Sequence, residues 1–132
     1  MAESKNLILA GGGHAHLLTL ANLDKFIAAG HRVTVVQPSP YHYYSGMGPG
    51  LLGGTCRAEE IRFATQTTVE KSGGRFINDK AVKINPAERT LQLASGAILN
   101  YDLLSLNTGS YVPTAFVKDQ GAENIFPVKP IE

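Results

Sequence analysis

Three consecutive glycines, Gly11–Gly13, constrain the fold of this chain more than any other feature of its sequence. The apolar run before them, residues 6–10 (NLILA), predicts a short buried strand. Residues 14–29 carry apolar side chains at roughly helical spacing, and Gly30 then supplies a helix stop. The β-branched run 31–37 (HRVTVVQ) predicts a second buried strand. Strand, glycine turn, helix and strand therefore form one βαβ unit.

The rest of the chain predicts further strands after two less regular segments. Residues 41–54 (YHYYSGMGPGLLGG) are rich in tyrosine and glycine, which predicts an irregular loop, and residues 58–72 follow a broken helical pattern, which predicts a short helix. Residues 75–79 (RFIND) then read as a strand. Three further strand-like runs follow, at 81–85, 89–93 and 97–99. The turn-forming residues between them predict an antiparallel meander. The run 102–107 (DLLSLN) is apolar on both faces, as a central parallel strand is.

The glycine turn itself has a chemical meaning. Gly11 is placed to turn the chain sharply, and Gly13 is placed to let a ligand approach the backbone closely. The unpaired N–H groups of the helix that follows carry partial positive charge, which favours a pyrophosphate. The dinucleotide pattern G-x-G-x-x-G/A departs at its third position, which is His16. Either the helix stands farther from the strand there, or the imidazole turns toward the ligand.

Two strand ends support this interpretation of the turn. The second strand ends at Gln37, where an acidic residue usually meets a ribose hydroxyl. An amide can bond a hydroxyl without charge, and it would not repel a 2′-phosphate. The last strand ends in Thr108-Gly109, and in a parallel sheet that end would lie beside the glycine turn. The alternative is that the glycines make only a tight turn between a strand and a helix.

Charge and composition exclude several classes of function. Twelve Lys and Arg against eleven Asp and Glu give a net charge of +1, which supplies no basic surface for nucleic acid. The single cysteine, Cys56, can make neither an internal disulfide nor a multi-cysteine metal site, which fits a cytoplasmic setting. His14 and His16 form an H-x-H pair without a matching carboxylate or cysteine, so we expect no metal there. No run approaches the ~20 apolar residues of a membrane span.

The order of these features resembles a known family. GGG followed by a helix, a VTVV strand, a tyrosine-rich loop, a meander, Tyr101-Asp102 and Thr108-Gly109 is similar to the amino-terminal part of the pyridine nucleotide-disulfide oxidoreductase superfamily. Its type II NADH dehydrogenase and sulfide:quinone reductase branch is the nearest. The resemblance implies an α/β fold, namely a Rossmann-like three-layer FAD/NAD(P)-binding fold with a parallel sheet and an antiparallel β-meander crossover.

The resemblance also implies a set of FAD-binding residues. They are Gly11, Gly12, Gly13, His14 and Ala15 at the pyrophosphate, Gln37 at the adenosine ribose, Val82 at the adenine, Ser45 in a loop that runs toward the flavin ring, and Thr108 and Gly109 as the Thr-Gly of an Ala-Thr-Gly motif. Asn107 stands where that motif has Ala. No catalytic residue is identified.

The function implied is that of the FAD-binding part of a flavin-dependent oxidoreductase, which passes electrons from NAD(P)H to a quinone or similar acceptor. Residues 1–112 would be the first segment of the FAD domain, and residues 113–132 a linker toward a nicotinamide-binding domain. We therefore expect the chain alone to be inactive and to self-associate, with membrane contact only peripheral and only in a full-length protein. The alternative is a stand-alone, non-catalytic dinucleotide-binding or regulatory module.

Overall fold

The computed structural model describes residues 3–110. Its strands are β1 (Asn6–Ala10), β2 (Arg32–Gln37), β3 (His42–Tyr43), β4 (Arg62–Phe63), β5 (Arg75–Asn78), β6 (Ala81–Asn85), β7 (Thr90–Leu93), β8 (Ile98–Asn100) and β9 (Leu103–Leu106). Its α-helices are α1 (His14–Ala21), α2 (Leu23–Ala28), α3 (Gly48–Leu52) and α4 (Thr65–Lys71). The predicted linker, residues 113–132, lies outside the described residues.

The described chain divides into two units. The larger consists of residues 3–42 and 64–108, and the smaller of residues 43–63 and 109–110. The larger unit holds the glycine turn, and the smaller holds α3 and two short 3₁₀ helices.

A four-stranded parallel sheet forms the centre of the larger unit. The strand order is β5-β2-β1-β9, and each neighbouring pair is parallel. Ala10 is level with Val36 on one side and with Leu106 on the other, so three strands end at the same edge. The antiparallel sheet β6-β7-β8 is the predicted meander, which is confirmed.

The parallel sheet buries both faces, which is why its strands read as continuous apolar runs. On the helical face, Leu9 and Val35 pack with Leu20, Leu23 and Val69. The other face carries Ile8, Ala10 and Val36, which pack with Leu91 and Leu93 of the meander. Helices, parallel sheet and meander therefore make three layers, and the predicted fold class is confirmed.

The predicted helix over residues 14–29 is in fact two helices. The break lies at Asn22, whose φ of −119° and ψ of 21° leave the helical region. The Asn22 side-chain Nδ2 donates to the Leu18 carbonyl at 2.8 Å. In a continuing α-helix, the backbone N–H of Asn22 would bond this same oxygen. Asparagine competes with the helix through such local bonds. The single-helix prediction was therefore wrong at this residue.

The predicted helix over residues 58–72 was also wrong in its first half. Residues 58–61 form a 3₁₀ helix, and the strand β4 follows. Within the predicted range, only α4 is an α-helix. The Glu60 carboxylate accepts from the Arg57 N–H at 2.6 Å and closes the short 3₁₀ turn. Buried Ile61 and Val69, 1% and 0% exposed, thus lie in separate elements of separate units rather than on one helix face. The predicted loop over residues 41–54 likewise contains β3 and α3.

Gly11 is where the fold depends on glycine. Its φ is +90°, a conformation that costs other residues about 1–2 kcal/mol. A Cβ added there would also collide with the backbone carbonyl of Asn107 and lie 2.7 Å from the Thr108 Cα. The turn after β1 thus passes directly against the chain that leaves β9.

We predict that Gly11→Ala destabilises the fold much more than Gly30→Ala. Gly30 has a similar φ of +87° but nothing within 4 Å of an added Cβ, so its variant isolates the cost of the backbone conformation. We expect a loss of about 1–2 kcal/mol for Gly30→Ala and at least about 1 kcal/mol more for Gly11→Ala, because the backbone must move. Urea unfolding of both variants measures the difference, and equal losses would contradict the close approach to Asn107.

Candidate functional site

The glycine turn is held at the carboxyl edge of the parallel sheet by backbone hydrogen bonds to both neighbouring strand ends. The Gly11 N–H donates to Val36 O at 2.7 Å, and the Asn107 N–H donates to Ala10 O at 2.8 Å. The Gly13 N–H reaches Asn107 O at 3.4 Å. Ligands of open α/β sheets bind at this edge.

The start of α1 is open to an anion. Gly13 occupies the N-cap position, and within residues 3–110 no side chain caps the helix and no acidic residue lies in its first turn. His14 and Ala15, the first two helical residues, are exposed. The partial positive charge of the helix start is therefore not neutralised by the described part of the chain, and a phosphate would complement it.

His16 turns inward. The residue is only 3% exposed, and its imidazole lies between the glycine turn and β9. Nδ1 is 2.6 Å from Gly11 O, and Nε2 is 2.9 Å from Ser105 Oγ. Because a carbonyl can only accept, Nδ1 carries a hydrogen, and in the neutral ring Nε2 accepts from the serine hydroxyl. The hypothesis that this imidazole faces the ligand was therefore wrong: it links the turn to the sheet.

Gln37 lies beside the turn, buried at 5% exposure. Its Nε2 donates to Ser39 O at 2.7 Å and to Tyr41 O at 2.8 Å, so both amide hydrogens hold the loop that follows β2. Its Oε1 occupies the space that a Cβ on Gly12 would need, and it has no hydrogen-bond partner among residues 3–110. Gln37 therefore offers the site only an acceptor, and its contact with a ribose stays a prediction.

Two residues outside the predicted set of FAD-binding residues, Thr65 and Asn107, complete the surroundings of the glycines. Thr65, the first residue of α4, is 2% exposed and places Cγ2 3.3 Å from the Cβ position of Gly12. The side-chain amide of Asn107 lies over Gly13, with Oδ1 2.6 Å and Nδ2 2.7 Å from the Cβ position. Thr65 Oγ1 and Asn107 Nδ2 are buried without a partner in the described part of the chain.

The remaining predicted site residues are more scattered. Val82 lies on β6 in the meander and is 53% exposed. Thr108 is exposed just beyond β9. Ser45, at the start of a 3₁₀ helix, and Gly109, with φ of +74°, belong to the smaller unit. The structure thus brings Gly11–Gly13 together with Gln37 and with Thr108, whose Cα lies 2.7 Å from the position of a Cβ on Gly11. The roles of Val82, Thr108, Ser45 and Gly109 stay predictions.

The smaller unit contains a full match to the letters of the dinucleotide pattern, Gly48-Pro-Gly-Leu-Leu-Gly53. These residues form the five-residue helix α3 and its end, and a 3₁₀ helix rather than a buried strand precedes them. The pattern indicates a dinucleotide site only between a strand and a helix. This match is therefore not a second site of that kind.

Next to the α1 start, two histidines meet edge to face. The ring centroids of His14 and His42 are 5.6 Å apart, with an interplanar angle of 84°. Burial lowers the pKa of His42, and the charge on His14 lowers it further. The tyrosine-rich sequence around His42 gave no sign of this pairing.

In residues 3–110, no three His, Cys, Asp or Glu side chains come together as metal ligands could. The helices in the same range are too short or too polar to cross a membrane. A cavity of about 590 Å³ lies at the amino ends of the strands and includes Asn6, Arg32 and Arg75. Because parallel sheets bind ligands at the carboxyl edge, we place the candidate site at the glycine turn instead.

Together, the parallel sheet and its glycine turn define a Rossmann-like dinucleotide-binding architecture. The chain is similar to the sulfide-quinone reductase of Aquifex aeolicus, with 29% identity over 106 residues that cover 80% of this chain and 24% of that protein. It is also similar to the type II NADH:quinone oxidoreductase of Staphylococcus saprophyticus, with 26% identity over 117 residues, which are 88% of this chain and 29% of that protein.

Solved structures agree with these relatives. The crystal structure of the Aquifex aeolicus sulfide:quinone oxidoreductase matches with a TM-score of 0.72 and 27% identity, covering 83% of this chain and 25% of that one. NDH2 from Plasmodium falciparum, in complex with NADH, matches with a TM-score of 0.71 over 86% of this chain and 24% of that one. Its 18% identity shows the fold alone.

No protein-family model matches the chain. Its homologues nevertheless include a sulfide-quinone reductase and type II NADH:quinone oxidoreductases, and its structural neighbours are of the pyridine nucleotide-disulfide oxidoreductase type. The predicted resemblance is confirmed. The chain spans about a quarter of the length of these relatives.

We predict that the His16–Ser105 hydrogen bond couples the glycine turn to β9 energetically. Ser105→Ala leaves a buried ring nitrogen without a partner, which typically costs about 1–3 kcal/mol, whereas Ser105→Thr retains the hydroxyl and should cost less. Urea unfolding of His16→Ala, Ser105→Ala and the double variant gives the coupling energy. We expect about 1 kcal/mol, and strictly additive losses would show that the bond does not form.

We also predict a pH effect at His42. Because the pKa of His42 is lowered in the folded chain, His42 of the unfolded chain is protonated at a higher pH than His42 of the folded chain, as the pH falls below about 6.5. Stability from this group is therefore present above that pH and lost below it. NMR titration of the ring protons should give His42 a pKa below 6.5, and His14→Gln should raise it because one positive neighbour is removed. An unchanged value in His14→Gln would contradict the contribution of His14.

Proposed function

We propose that this chain is the FAD-binding part of a flavin-dependent oxidoreductase that passes electrons from NAD(P)H to a quinone or similar acceptor. The observation that carries the proposal is the glycine turn at the carboxyl edge of the parallel sheet, next to an uncapped helix start. The names of the relatives support the reaction class, because they are quinone reductases.

The residues present fit a dinucleotide in three respects. Gly11 makes the sharp turn before the helix start, and the absence of a Cβ on Gly12 and Gly13 leaves room for the side chains of Gln37 and Asn107, which would contact a ligand there. The helix start lacks an acidic residue in its first turn, so a pyrophosphate would meet no repulsion there from the described residues of α1. Buried polar atoms of Gln37, Thr65 and Asn107 flank the turn without partners among residues 3–110.

Each part of the site would have its own task. The N–H groups at the α1 start would hold the pyrophosphate, and His14 and Ala15 would face it. Gln37 would accept a hydrogen bond from a ribose hydroxyl through Oε1, since its amide hydrogens already bond the loop. Bound FAD would supply the chemistry of hydride and electron transfer between a reduced nicotinamide and an acceptor, and these residues would position it.

Ala15 offers a test that separates binding from folding. A glutamate in the first turn of α1 should keep or slightly raise stability, by about 0.3–1 kcal/mol, because it complements the helix dipole. The same charge should repel a pyrophosphate. We therefore expect Ala15→Glu to weaken FAD binding at least about tenfold, and Ala15→Gln, of the same shape without charge, to bind FAD nearly as the natural chain does.

NMR titration of the labelled chain with FAD measures these affinities even when binding is weak, and urea unfolding checks the stability of both variants. Saturable FAD binding by the natural chain with the expected loss in Ala15→Glu would support the proposal. Lack of saturable binding by the natural chain, or equal affinities for the two variants, would overturn it.

A further inference from the structure

Asn107, beside the glycine turn, has both backbone polar groups in hydrogen bonds, whereas its side-chain donor has no hydrogen bond within residues 3–110. Its N–H donates to Ala10 O at 2.8 Å, and its carbonyl accepts from the Gly13 N–H at 3.4 Å. These bonds fix the Cα beside the turn. The side-chain Nδ2 is buried and has no acceptor in residues 3–110.

The carboxamide lies where a ligand must come. Its Oδ1, Cγ and Nδ2 are all within 2.7 Å of the position that a Cβ on Gly13 would take, so the amide covers the residue that caps α1. A phosphate that uses the N–H groups of this helix start would need part of that space. The Asn107 side chain therefore occupies part of the space that a phosphate bound at this helix start would need.

We propose that Asn107 is an additional ligand-binding residue, whose Nδ2 donates a hydrogen bond to a phosphate oxygen of the bound dinucleotide. On binding, the carboxamide rotates about its own side-chain bonds, away from Gly13, and exchanges its unpaired buried state for a charge-assisted bond. The backbone bonds to Ala10 and Gly13 stay as they are. This inference rests on the proposed function.

The chemistry at this position restricts what the residue can do for a ligand. An alanine at this position would have no donor, so the phosphate would depend on the helix start alone. An aspartate of the same shape would have no hydrogen to donate and would add a negative charge. Of these three residues, only asparagine can donate a hydrogen bond to the phosphate from this position.

The test compares three probes, FAD, ADP and adenosine, in NMR titrations of the natural chain, Asn107→Ala and Asn107→Asp. We expect Asn107→Ala to weaken FAD and ADP about tenfold, the usual effect of one hydrogen bond to a charged group, and Asn107→Asp to weaken them further. Adenosine has no phosphate, so its affinity should not change. Asn100→Ala, at the exposed end of β8, is the matched control and should leave all three affinities unchanged.

Stability gives a second readout. Removing an unpaired buried amide should leave the unfolding midpoint unchanged or raise it, so affinity and stability should not fall together. Equal ADP affinity in the natural chain and Asn107→Ala, a parallel loss of adenosine binding, or a loss confined to FAD would each overturn the phosphate contact. Lack of binding of FAD and ADP by the natural chain would instead show that the proposed function has failed.

Discussion

The structure depends on the contact between the turn after β1 and the chain that leaves β9. Backbone hydrogen bonds from Gly11 to Val36 and from Asn107 to Ala10 hold three strand ends at one edge. The approach is so close that only glycine fits at position 11, where the φ is also positive. The amide over Gly13 takes its position from this contact, because the backbone bonds of Asn107 to Ala10 and Gly13 fix its Cα beside the turn.

His16 shows how the fold accommodates a residue that the usual glycine pattern does not contain. The third glycine of the pattern lets a helix lie close to its strand. Here an imidazole fills that space and bonds a carbonyl of the turn on one side and a hydroxyl of β9 on the other. Hydrogen bonds through a buried side chain thus link the glycine turn to β9 at this position.

Gln37 shows a comparable division of roles within one side chain. The amide nitrogen holds the loop after β2, and only the oxygen faces the glycines. A neutral residue fixed in this way presents the same hydrogen-bonding character, acceptor alone, as the acidic residue that usually ends the strand. The loop that follows β2 and the glycine turn are thereby coupled through a single residue.

The sequence by itself determined the βαβ unit, the meander and the glycine turn, because apolar periodicity and glycine act locally along the chain. It did not determine where the helices break, since the bond from Asn22 to Leu18 competes with the helix. Nor did it determine that the chain passes from the smaller unit to the larger one at residue 64. Only the tertiary structure decided the partners of the turn. His16 and Ser105 are 89 residues apart, and they meet because β9 pairs in parallel with β1. No local pattern records such a pairing, and so the orientation of His16, the commitment of the Gln37 amide and the position of Asn107 required the folded chain.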